Sequence, residues 1–208
     1  AGLRPPWDVV SQGRRTRHEV DDAGLRSTGW SLDHPTEEIY LVAGPWHEYG
    51  RRAGNVEIFA FLREDDAGLA QKYLDATARY LELYQGMLPP FPYASFALVE
   101  NFWETGYGMP GFTLLGPRVI RFPWILTSSY PHELLHNWWG NSVYVDFATG
   151  NWCEGLTAYM ADHLFAEQRG EGATYRRATL KKFTDMVSAG EDFPRSEFGS
   201  RHSASSEA

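Results

Sequence analysis

An α+β fold is expected for this chain on three observations. Residues 1–64 alternate short apolar runs with turn-rich breaks, residues 65–85 carry an apolar stripe at helical spacing, and two later helical segments carry closely spaced His and Glu side chains. At 208 residues, with 43% hydrophobic and 15% aromatic content, the chain can bury a substantial core and hold one domain with part of another.

In the first 64 residues the runs Ile39-Tyr40-Leu41-Val42 and Val56-Glu57-Ile58-Phe59-Ala60-Phe61-Leu62 read as strands, separated by the turns Ala43-Gly44-Pro45 and Arg51-Arg52-Ala53-Gly54. His47-Glu48 reads as loop, since Arg51 stands where a second ligand would be needed on the next helical turn. Asp65 and Asp66 then open a helix running to about Gln85, with Leu69, Tyr73, Thr77, Tyr80, Leu81 and Tyr84 on one face and Gly86 as the stop. Pro89, Pro90 and Pro92 break the chain before a short strand, Ala94–Val99, that ends at Glu100. No repeat or low-complexity segment stands out, and the serine-rich end from Ser200 reads as prone to fray.

The chemistry concentrates in His132-Glu133-Leu134-Leu135-His136, an HExxH motif. Residues four apart share one helix face, so both imidazoles can reach one metal ion while Glu133 points at a water to be activated. With 7 His in the chain, chance alone produces the pattern in roughly two per cent of such sequences, so the surroundings matter. They agree with a short helix over about 131–139: Ser128 and Ser129 stand before it as caps, Pro131 suits the first turn, and Gly140 suits the stop.

A catalytic zinc site takes three protein donors and keeps a fourth position open. Glu154 is the candidate third donor. It opens a second periodic segment, with Trp152, Leu156, Tyr159, Met160 and Leu164 as an apolar stripe, after a loop built from Asp146, Thr149, Gly150 and Asn151. A third histidine just downstream is excluded, because Trp139 stands where that pattern needs glycine and Ser142 where it needs histidine. Cys153 reads as a small core residue, and His163, about half a turn out of phase with Glu154, as a packing or surface residue.

The stretch HELLHNWWGNSVYVDFATGNWCEGLTAY resembles the zinc-binding region of the M1 aminopeptidases, the gluzincin group that includes alanyl aminopeptidases and leukotriene A4 hydrolase. The likeness includes Trp138, Gly140 and Asn141 after the second His, and Glu154-Gly155 followed by Thr157 and Tyr159, and it is strong over residues 95–165. It implies a thermolysin-like catalytic domain over residues 65–208, truncated at its C-terminal end, preceded in residues 1–64 by the last strands of an N-terminal β domain. It also implies Zn2+ held by His132, His136 and Glu154, Glu133 as general base, and Glu100 holding the free α-ammonium of a peptide substrate. Residues 137–153 make the interval before Glu154 one residue shorter than usual in the family, a change that loops absorb. The family's Gly-Ala-Met-Glu-Asn motif aligns with Ala97-Leu98-Val99-Glu100-Asn101, which keeps only the Glu-Asn pair. The resemblance also places an oxyanion-stabilising Tyr about sixty residues past the third ligand, near position 215. The sequence ends at Ala208 and Tyr175 is too early, so a fragment of a longer enzyme is expected, and whether it is active alone stays open.

The expected function is therefore zinc-dependent hydrolysis of the N-terminal peptide bond, with peptides bearing a free N-terminus as substrates. Two alternatives share the metal site: a zinc endopeptidase, and a zinc-containing peptide-binding or scaffold module without turnover. A net charge of −8, with Arg14, Arg15 and Arg17 the only basic run near the start, argues against nucleic acid. The chain has no membrane-length apolar run and no signal-peptide pattern in AGLRPPWDVV. Compartment and oligomeric state stay open.

Overall fold

The structure, a computed structural model, describes residues 3–199; the end from Ser200 lies outside the described residues. The chain divides into two compact units, one ending at Ser142 and the other beginning at Val143.

In the first unit, β1 (Trp7–Ser11) pairs antiparallel with β4 (Leu41–Pro45), and β2 (Arg14–Val20) with β3 (Arg26–Ser31). A five-stranded sheet follows in the order β5-β6-β7-β9-β8, where β5 is His47–Ala53, β6 Val56–Leu62, β7 Ser95–Glu100, β8 Gly106–Met109 and β9 Phe112–Leu115. His47 and Glu48, read from sequence as loop, lie in β5 opposite Leu62 and Phe61. Their strand is held by its neighbour, which local pattern does not reveal. Gly44 and Pro45, read as a turn, likewise close β4, while Ile39 is left exposed before it. Within this sheet β6 pairs in parallel with β7.

The parallel pair requires a crossover, supplied by helix α1 (Ala67–Gln85). Asp66 caps it, its side chain accepting the Leu69 N–H at 2.8 Å, and Gly86 follows its last residue as expected. Its buried face includes Tyr73, Thr77, Tyr80, Leu81 and Tyr84. Val10, Phe61, Val99 and Phe112 join one sheet face into a core with Trp46, whose indole N–H donates to the Glu100 carbonyl at 3.1 Å.

A polar cluster links the first strands. The Asp8 carboxylate, 4% exposed, accepts from Thr28 Oγ1 at 2.6 Å and the Val9 N–H at 2.7 Å, and lies 2.6 Å from His18 Nε2. Burial opposes its ionisation, but these hydrogen bonds outweigh burial and hold its pKa below the ordinary carboxylate value. A depressed folded-state pKa contributes stability that is present above the unfolded value, about 3.9, and is lost as pH falls through the folded one. Asp8→Asn is thus expected to lower the melting temperature at neutral pH, and the gap from wild type should close below about pH 4. Melting curves of both proteins from roughly pH 2.5 to 7 check this; a gap that does not change with pH would show that the charge of Asp8 is irrelevant.

The second unit holds α3 (Trp152–Ala158), a π turn at Tyr159–His163, α4 (Leu164–Gln168) and α5 (Gly172–Ala189). The expected stripe is displaced. Cys153, Thr157, Ala161 and Ala166 are buried, whereas Leu156 and Tyr159 are exposed. The displacement begins in α3 at Cys153 and Thr157, ahead of the π turn, which then adds a residue and shifts the phase further, as a constant-period reading cannot anticipate. Among the described residues no helix is long and apolar enough to cross a membrane.

Candidate metal centre

Helix α2 (Ser129–Leu135) carries the motif in the first unit. It begins without a side-chain cap, since Ser128 Oγ donates instead to the Trp124 carbonyl at 2.8 Å. It also ends earlier than the expected residue 139. His136 is the C-terminal cap residue, and the Asn137 and Trp138 N–H groups turn back to Leu134 and Leu135. Gly140, at φ +94°, then takes the left-handed conformation that glycine accepts. Aromatic packing seats the helix on α1: Tyr130 meets Tyr73 edge-on at 4.8 Å, and Trp138 meets Tyr84 at 5.9 Å.

The two imidazoles stand on one helix face, their ring centroids 4.9 Å apart. His132 is buried and His136 half-buried, so the pair sits at the rim of the core rather than in open solvent. Ring nitrogens of the two lie within 4.8 Å of each other. Two donors each about 2.0–2.1 Å from one tetrahedral zinc stand roughly 3.4 Å apart, which lies inside that limit. The donor chemistry and the placement fit zinc.

Beside them runs the sheet edge. β8 pairs with β9 on one side only, and Gly108 lies against α2, where a Cβ would come 2.8 Å from Glu133 Oε2 and 3.4 Å from the His136 Cβ. Asn137 fixes this approach. It is fully buried, its Oδ1 accepting the Gly111 N–H at 2.8 Å while its Nδ2 donates to the Leu134 carbonyl at 2.9 Å, so it ties the end of α2 to the β8–β9 turn. Neither Gly108 nor Asn137 was singled out from sequence; a glycine at alternate positions of a strand, Gly106 and Gly108, was the available signal of close backbone approach.

Glu100 ends β7, an interior strand, and is 2% exposed. Its Oε1 accepts from Arg121 Nη1 at 2.6 Å and its Oε2 from the Arg63 N–H at 2.9 Å. The cleft next to it, about 440 Å³, is lined by Arg63, Arg118 and Arg121 as well as Glu64. Glu104 is engaged by Arg118 at 2.9 Å, and Tyr107 lies exposed on β8.

In the second unit, Glu154 occupies the first turn of α3, where the helix dipole favours an anion. Asn151 caps that helix, accepting the Cys153 N–H at 3.2 Å, after a loop in which Asp146 caps the short turn Phe147–Thr149. Glu154 is half-buried and lines a cleft of about 540 Å³ with Trp152, Tyr159, Arg195 and Phe198. Burial pushes the Cys153 thiol up to about 12, with the charge of Glu154 adding to it, so this thiol stays protonated and is a poor metal donor. His163 is buried and stacked on Tyr159 at 4.7 Å.

No family model and no curated protein matches the chain by sequence. Solved structures do match in shape. An M1 zinc metallopeptidase from Deinococcus radiodurans superposes with a TM-score of 0.64 at 20% identity over 88% of this chain, and a variant of it with 0.66 at 20% identity over 92%. The variant bound to a Tyr-Ser-Ala substrate gives 0.64 at 19% identity over 87%. The chain spans 42–45% of the length of these structures. The fold is thus one that M1 zinc metallopeptidases have.

Proposed function

We propose that this chain is the zinc-binding part of a peptidase with a thermolysin-like catalytic domain, and that the full-length protein removes residues from the amino terminus of peptides. The observation that carries the reading is the HExxH helix set against an open sheet edge, with the Glu133 carboxylate at Gly108. His132, His136 and Glu154 are the donor set. Zinc held by them would supply Lewis acidity toward the scissile carbonyl and the attacking water.

The protein's own residues do the rest. An extended peptide can lie along β8 as an added strand, its main chain bonded to this edge strand. Glu133 then takes the proton of the attacking water and passes it to the leaving amine. The narrower aminopeptidase reading is supported by the neighbours: one is bound to Tyr-Ser-Ala substrate, and others to L-arginine or L-tryptophan, ligands with free amino groups.

A second reading, endopeptidase action, is favoured by the engagement of Glu100. Its carboxylate pairs with Arg121 Nη1 at 2.6 Å and so links β7 to the segment Val119–Arg121. Paired assays of the full-length protein on free and N-acetylated peptides of the same sequence separate the readings. The expected result is a preference for the free amine in wild type, with Glu100→Gln lowering kcat/KM for both peptides by the same factor. No preference in wild type would favour the endopeptidase; a selective loss on the free amine would make Glu100 the ammonium anchor after all.

A further inference from the structure

We infer that Gly108 is a positioning residue for the proposed base: the bare Cα of the edge strand leaves the space in which the Glu133 carboxylate rests. This rests on the assignment of Glu133 made above.

Gly108 is not in a positive-φ conformation, so its backbone accepts any L residue. What excludes a side chain is contact. A Cβ would stand 2.8 Å from Glu133 Oε2, 3.3 Å from the Glu133 carbonyl oxygen and 3.4 Å from the His136 Cβ. The latter two contacts are tight but close to ordinary packing. The first is not, and the atom it displaces is the end of a flexible side chain. Alanine at 108 therefore presses chiefly on the carboxylate, which must move by about 0.6 Å or rotate into another rotamer, while the Glu133 carbonyl at 3.3 Å has to give only a little. Gly106, whose Cβ would meet only Leu115 Cδ2 at 3.9 Å, lacks this constraint and is the internal control.

Displacing a reacting group by about 1 Å can cost about a hundredfold in rate. Gly108→Ala is expected to lower kcat about 10- to 100-fold in the full-length protein, with zinc content retained and KM little changed. Gly106→Ala should lower the melting temperature far less than Gly108→Ala does. A double-substitution cycle supplies the readout that a merely structural role would not move. In Glu133→Gln, where no base remains, adding Gly108→Ala should leave the residual rate nearly unchanged. An equal fractional loss in both backgrounds, or an unchanged kcat in the single variant, overturns the proposal. A second cycle on melting temperature needs no activity: Gly108→Ala should lower it by a few degrees, and Glu133→Ala should restore most of that loss by removing the atoms in the way. If Glu133→Gln turns over normally the base assignment itself fails, and the melting cycle still decides whether the contact exists. No restoration there overturns the contact as well.

Discussion

Glu133→Gln is expected to keep one zinc per chain while peptide hydrolysis by the full-length protein falls by about two orders of magnitude or more, the range that positioned general bases contribute. Glutamine preserves the length and shape of the side chain and retains a carbonyl oxygen, so packing against β8 is undisturbed. What it loses is basicity. An amide cannot accept the proton that the attacking water must release, nor carry it to the leaving amine. Separating binding from chemistry is the value of the substitution: a helix distorted by the change would lose metal and activity together, whereas a missing base loses activity alone. Zinc analysis beside kcat/KM makes the comparison, and near-normal turnover in a zinc-loaded variant would mean that another group activates the water.

How far the sequence carried the fold and the site depends on whether a feature is set by neighbours along the chain or by neighbours across space. The spacing of His132 and His136 is local, and a four-residue interval on a helix gives one face whatever surrounds it. The Asp66 cap and the α1 stripe are local too, and both appear as expected. The end of α2 is not. A run through residue 139 looked regular, but Asn137 turns its amide to Leu134 and Gly111 and the helix closes at Leu135. The same limit applies to Glu100. Its place at the end of a short strand was legible, but the guanidinium of Arg121, 21 residues on, reaches it only through the fold. Gly108 is the clearest case: in sequence it is one glycine of a Gly-rich run, and only the approach of β8 to α2 shows why a side chain there is excluded.

His136→Ala is expected to abolish stoichiometric zinc binding and, with it, hydrolysis. With three protein donors proposed, removing one imidazole leaves two, and water must occupy a position that a fixed nitrogen held. The loss should exceed the roughly 10- to 100-fold cost of losing only a hydrogen-bond partner of a ligand. The helix itself should survive, because His136 caps α2 from a half-buried position while Tyr130, Leu134 and Leu135 carry its packing. Circular dichroism close to wild type together with less than about 0.1 zinc per chain is therefore the expected pair of results. Chelation of the wild type should reproduce the loss of activity, and added zinc should restore it in the wild type but not in the variant. Full zinc occupancy in His136→Ala would remove the HExxH pair from the metal site, and the peptidase reading would lose the observation on which it stands.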